Sequence, residues 1–232
     1  MIFSNECFLR DTCNKYKTDK YCETSATFCP KLFKLGYLYE QSLLTDKQKV
    51  YHPLYIDDDG TDEEQFNRLK EIETSIESFV SDGKNLYIHS AITGNGKTLW
   101  AIRLMQSYFN KIWHKTDLQC RGLFINVPRF FLLMKDNISQ KNDYIKQIKE
   151  NIASADLIIW DEIGTKQLTS FEHENLLNYI NLRVEEGKAN IYTSNLSSAE
   201  LRTVVGDRLY SRIVNLSEDI EFNGQDKRGL VK

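Results

Sequence analysis

The octapeptide Ala91-Ile92-Thr93-Gly94-Asn95-Gly96-Lys97-Thr98 constrains this chain more than any other stretch. It follows the apolar run Asn85-Leu86-Tyr87-Ile88-His89-Ser90 and precedes a segment with helical apolar spacing at about 98–114, so it reads as a strand-to-helix turn. Glycines at 94 and 96 let the backbone curl until its N–H groups line a concave anion site at a helix N-terminus. In the GxxxxGK[ST] arrangement the lysine, here Lys97, reaches the β- and γ-phosphates of a nucleotide, and the Thr98 hydroxyl ligates Mg²⁺. Thr93, Gly94, Asn95, Gly96, Lys97 and Thr98 are therefore the expected nucleotide contacts. Ala91 stands where the pattern has its first glycine, which is tolerable only if that residue keeps a negative φ.

A phosphate loop of this kind needs a carboxylate at the end of a neighbouring buried strand. Leu157-Ile158-Ile159-Trp160-Asp161-Glu162 supplies one, because four apolar residues suit a strand covered on both faces and Asp161 then emerges at its carboxyl end. Asp161 is the expected magnesium-side carboxylate, and Glu162 the base that orients an attacking water. Trp160 reads as core. Asn195, after Ala189-Asn190-Ile191-Tyr192-Thr193-Ser194, is placed to hold the water or γ-phosphate, although Ser197-x-x-Glu200 beside it is also a capping box.

Between these motifs the pattern alternates. A helix is expected at about 66–81 and strands at 85–90, 122–127, 156–161 and 189–194, with a short one near 219–223. A helix at about 171–184 starts after the Thr169-x-x-Glu172 capping box and stops at Gly187. Strands alternating with helices imply an α/β fold with a parallel sheet flanked by helices. Arg183 and His173 read as a solvated helix face, and Cys120 as an ordinary thiol.

With these elements placed, the chain resembles the AAA+ ATPases of the DnaC/DnaI type, the bacterial and phage helicase loaders. The similarity rests on Phe124-Ile125-Asn126-Val127-Pro128, Asp156 to Gly164, Thr193-Ser194-Asn195-Leu196, and above all Gly206-Asp207-Arg208-Leu209-Tyr210-Ser211-Arg212-Ile213. The last resembles the family's arginine-finger helix, which implies that Arg212 reaches the ATP of a neighbouring subunit. Arg208 is the alternative, unless it pairs with Asp207. Arg228 sits about where such proteins carry a sensor-2 arginine that contacts the γ-phosphate in cis; a basic group on a frayed tail is the other reading. The resemblance implies an ATPase that self-associates through its ATP site and loads a hexameric DnaB-type replicative helicase onto single-stranded DNA. A transposition regulator of the IstB type shares the ATPase core and is the main alternative. A module that uses ATP only as an assembly ligand is another.

Four of the five cysteines, Cys7, Cys13, Cys22 and Cys29, fall within the first 29 residues. Four thiolates complete the tetrahedron of a structural Zn²⁺, although the spacing lacks tight C-x2-C knuckles. Members of the loader family with an N-terminal zinc module that docks on the helicase resemble this arrangement; scattered core thiols are the alternative. The helical pattern after them extends this module to residue 56. Residues 57–65 are acidic and contain no apolar group before Phe66, reading as a linker or the acidic start of a helix, and 66–232 form the ATPase domain. The formal charge of −3 excludes a chain-wide nucleic-acid footprint, so any DNA contact is local, with Lys111, His114, Lys115 and Arg121 as options. No apolar run is long enough for a membrane span and no export signal is evident, so a cytoplasmic protein without membrane contact is expected.

Overall fold

Four apolar runs and the largely acidic Ser217–Glu221 become five short strands of one parallel sheet in the computed structural model, which describes residues 29–56, 60–136 and 143–227. They are β1 (Asn85–His89), β2 (Gly122–Asn126), β3 (Leu157–Asp161), β4 (Ala189–Ser194) and β5 (Ser217–Glu221), in the spatial order β2-β3-β4-β1-β5. The register places Asn85 beside Asn190 on one side and Ser217 on the other, so β1 is flanked by the two strands formed last in the chain. That order reverses direction at β1, and the crevice beyond the carboxyl ends there is where a ligand of an open α/β sheet binds.

Helices cover both faces because alternate residues of each inner strand are apolar on both. Leu86, Ile88, Phe124, Leu157, Ile159 and Ile191 point to one layer. That layer holds α1 (Pro30–Gln41), α3 (Glu63–Thr74), α4 (Ile76–Ser81) and α5 (Lys97–Ile112), with the single turn α2 (Asp46–Lys49) at its margin. Tyr87, Leu123, Ile125, Ile158, Trp160 and Tyr192 point to the other, which holds α6 (Val127–Asp136), α7 (Asp143–Ser154), α8 (Ser170–Glu185) and α9 (Ser198–Ile213). Trp160 is wholly buried, as its apolar neighbours implied. Burial pushes the Cys120 thiol up to about 11, so it is an inert core group.

Three local readings change. The helix expected at 66–81 is two helices, broken at Ser75, and the first begins at Glu63, so the acidic run supplies its first turn. The step expected at 56/57 is not a break in packing. Leu35, Leu38, Tyr39 and Leu44 join the same core as the phosphate-loop helix α5, Tyr39 packs edge-on to Phe109 at 5.4 Å, and Ser42 O accepts from Phe124 N at 2.8 Å along the outer edge of β2. Residues 29–56 thus cover an edge strand that would otherwise present bare backbone.

The third change concerns Arg183, which is not solvated but 0% exposed. Its guanidinium donates to Asn190 Oδ1 at 2.7 Å, Ile152 O at 3.0 Å, Ala155 O at 2.7 Å and Ala189 O at 2.6 Å. It closes the carboxyl end of α7 against the entry of β4, and Asn190 Oδ1 also accepts from Trp160 Nε1 at 3.1 Å. Burial lowers its pKa to about 10, which still leaves it charged at neutral pH. Arg183→Ala strands several buried acceptors and is expected to cost ~4 kcal/mol. A thermal melt should then fall by roughly 10 °C for a chain of this size; an unchanged melting temperature would mean the network adds nothing. His173 is also engaged: its Nε2 lies 3.0 Å from Val205 O, beside the kink at Gly206 in α9.

Candidate functional site

Local chemistry explains the shape of the loop at 91–98. Gly94 and Gly96 adopt φ values of +80° and +104°. A Cβ on Gly96 would meet nothing within 4 Å, so glycine is required there by backbone conformation and not by crowding. Among the described non-glycine residues positive φ occurs at Leu43, Asp62, Leu118 and Glu162, so Ala91 keeps ordinary geometry and the missing first glycine costs nothing. The Ser90 hydroxyl fastens the loop from beneath, accepting from Ile92 N at 3.0 Å and Asn95 Nδ2 at 2.6 Å. Lys97 opens α5 and folds back along the loop, donating from Nζ to Ile92 O at 2.8 Å and Asn95 Oδ1 at 3.2 Å.

The carboxyl ends of β2, β3 and β4 meet the loop. Asp161 Oδ1 accepts from the hydroxyls of Thr98 and Thr193, each at 2.7 Å, and Asn126 Nδ2 lies 3.3 Å from Oδ2. Burial raises the Asp161 pKa, and these three donors oppose the rise. Glu162 leaves the strand at φ +62°, a left-handed conformation that is unusual for a glutamate. Two contacts hold it there: its N–H donates to Thr193 Oγ1 at 3.1 Å, and its Oε2 accepts from Asn126 Nδ2 at 2.9 Å. The turn sends the Glu162 carboxylate out of the sheet and into the open cleft.

That cleft is 620 Å³ and is lined by Thr93 to Thr98, Glu162, Thr193 and Asn195, with His52 to Tyr55 and Lys227 on the far side. The strap at 48–55 is strung along α5. Gln106 Nε2 donates to Gln48 O at 3.0 Å, and the buried Arg103 donates to the Tyr51 hydroxyl and His52 O while stacking on the Tyr51 ring. Across the cleft Lys227 N donates to Gly94 O at 2.9 Å and Lys227 Nζ to Tyr55 O at 2.9 Å. Hydroxyl and carboxylate oxygens converging at Thr98 and Asp161 are the hard donors that suit Mg²⁺, and the amide-lined loop suits phosphates.

The model of the IstB-like ATP-binding protein family matches residues 47–229. The chain belongs to that family. Among curated proteins no sequence match is found. Solved structures share the fold of this IstB-like ATPase. The DnaC helicase loader is 20% identical with a TM-score of 0.56, covering 80% of this chain and 98% of its own. A chain from Streptococcus pyogenes serotype M3 described as a primosome component is 20% identical with a TM-score of 0.59, covering 82% and 97%. DnaI is 23% identical with a TM-score of 0.50, covering 69% and 84%. The IstB-like protein is thus a P-loop ATPase built on a five-stranded parallel sheet.

Of the residues singled out from sequence, Thr93 to Thr98, Asp161, Glu162 and Asn195 come together around one cleft. Arg212 lies elsewhere, on α9, with its Nε donating to Asn181 Oδ1 at 2.9 Å in a 520 Å³ surface hollow shared with Asn178, Arg208 and Ser211. Asp207 is paired with Arg202 at 2.6 Å, not with Arg208. Arg228 and Cys7, Cys13 and Cys22 lie outside the described residues. Cys29 is the N-cap of α1, its Sγ accepting from Leu32 N at 3.5 Å. Lys115 pairs with Glu77, and Arg121 with Asp117 and Asp156, so two of the four suggested DNA-facing charges have acidic partners. No described helix is long and apolar enough to cross a membrane.

Sequence reasoning assigned no role to Ser90, Asn126, Thr193, the 52–55 strap or Lys227. Asn126 and Thr193 carried a usable signal, since each stands at or next to the carboxyl end of a parallel strand. The strap carried none, because its place depends on Arg103 and Gln106 about fifty residues away.

Proposed function

We propose that this ATPase loads a hexameric replicative helicase of the DnaB type onto single-stranded DNA, with ATP binding driving assembly and hydrolysis driving release. The observation that carries the ATPase half is the meeting of Thr98, Thr193 and Asn126 on Asp161, with the Glu162 carboxylate turned outward beside them. The loader half is supported by the loader-like stretches of sequence and by a fold shared with a helicase loader over almost all of that loader's length.

In this reading the glycine loop and Lys97 bind the triphosphate, and Thr98 and Asp161 hold Mg²⁺, which neutralises phosphate charge. Glu162 accepts the proton of the attacking water as its oxygen bonds the γ-phosphorus in line with the β–γ bridging oxygen, whose bond to that phosphorus breaks so that ADP leaves and inorganic phosphate forms, and the Asn126 amide keeps the carboxylate aimed. Asn195 lines the same cleft and orients the water or the γ-phosphate. Arg228 contacts the γ-phosphate in cis. Arg212, displayed away from its own cleft, completes the site of an adjoining copy, so that turnover follows assembly. Cys7, Cys13, Cys22 and Cys29 hold a structural Zn²⁺, a reading supported by the crowding of four thiols into the first 29 residues. Elemental analysis of reduced protein should find one zinc per chain, and its absence would remove the four-thiolate site.

The loading reading is tested by incubating the tagged chain with host extract and a non-hydrolysable ATP analogue. Recovery of a hexameric helicase that depends on the analogue is the expected result. The family match favours a second reading, an ATP-dependent assembly on duplex DNA that regulates transposition. Nucleotide-dependent filaments on duplex DNA without helicase capture would select it.

A further inference from the structure

Asp62 is the residue immediately before α3, where an aspartate ordinarily turns its carboxylate onto the free amides of its own helix. Here the side chain makes no such bond. Its Oδ1 accepts from Asn223 N at 2.7 Å and its Oδ2 from Gly224 N at 2.8 Å, at the opposite end of the chain. It does so while only 8% exposed and at φ +67°, a conformation that glycine adopts freely and aspartate does not. A carboxylate diverted from its local use, buried and held in a strained backbone is explained by what it grips.

The gripped peptide leads to the nucleotide cleft. Phe222 N donates to His89 O at 2.8 Å, which continues the β5–β1 ladder one step past the strand. Asp62 takes the next two amides. Three residues further on, Lys227 N bonds Gly94 O in the phosphate loop and Lys227 Nζ bonds Tyr55 O on the opposite wall. The tail is therefore fixed at the sheet, at Asp62 and at the loop, and Asp62 sets the bend between the other two.

We propose that Asp62 is a positioning residue for nucleotide binding: by clamping the amides of Asn223 and Gly224 it holds the 223–227 tail across the cleft, with Lys227 seated on the phosphate loop. This rests on the cleft being the ATP site. It makes a residue of the acidic stretch, in a segment of the chain far from the motifs, part of the apparatus that retains ATP.

The test uses full-length protein and a fluorescent ATP analogue. Asp62→Ala and Asp62→Gly are both expected to weaken ATP binding by about tenfold, equivalent to ~1.4 kcal/mol. KM for ATP should rise by a similar factor while kcat at saturating ATP stays within about twofold. The two variants separate function from stability, because glycine accepts the left-handed backbone and alanine does not. Asp62→Gly should melt higher than Asp62→Ala yet bind ATP no better. Wild-type affinity in folded Asp62→Gly protein would overturn the proposal, as would a loss of affinity that recovers in step with the melting temperature. Failure of the wild-type chain to bind ATP would instead overturn the nucleotide reading of the cleft.

Discussion

Protein carrying Arg212→Ala is expected to bind ATP normally and to lose ~10³-fold or more in turnover, the contribution typical of an arginine supplied to a phosphoryl-transfer transition state. The guanidinium shares its hollow with Arg208 and is absent from the lining of its own cleft, so the proposed effect is one exerted between copies. That makes a sharper expectation available. Arg212→Ala chains keep an intact phosphate loop, and Lys97→Ala chains keep an intact arginine. Mixing the two inactive proteins should restore part of the phosphate release, since some junctions then combine a good loop with a good arginine. If the mixture stays as inactive as its components, Arg212 does not act in trans. The same mixing with Arg208→Ala decides between the two arginines, which lie four residues apart on one face of the helix after the Gly206 kink.

The other large effect is expected at Glu162. The substitution Glu162→Gln keeps the side-chain length, the left-handed backbone and an oxygen for the Asn126 amide, and removes only basicity. ATP affinity should hold while hydrolysis falls by about 10²–10⁴, the usual worth of a positioned general base. Phosphate release measured beside an ATP titration separates the two. Turnover at the wild-type rate would leave the carboxylate without a chemical role and would favour a chain that uses ATP only to assemble.

The contrast between these residues and Arg183 shows what a sequence discloses. The placement of Lys97, Thr98 and Asp161 was legible because it is set by neighbours in the chain: glycines that permit positive φ, a strand before, a helix after. The same holds for the capping boxes at Thr169 and Ser197, which form as their spacing implies. Arg183 was misread because charge on a helix usually means solvent, and its acceptors at residues 152, 155, 189 and 190 gather only when α7, α8 and β4 pack. Asp62 was hidden for the same reason. A run of carboxylates looks uniformly solvated until one of them finds two amides from the far end of the chain. The break at Ser75 and the packing of 29–56 into the shared core are likewise tertiary choices that local periodicity does not encode.

The place of β1 between β4 and β5 has a consequence for biosynthesis. The strand that leads into the phosphate loop emerges from the ribosome early, but its two neighbours begin at Ala189 and Ser217. Until the first of them, β4, has been translated, β1 has neither pairing edge satisfied, and until β5 follows one edge stays open, so the nascent chain carries an apolar strand with nowhere to dock. Such late closure predicts slow, topology-limited folding. A ribosome stalled before the codon for Ala189 would hold a polypeptide that has its glycine motif but no assembled cradle, and that is prone to sticking to its siblings.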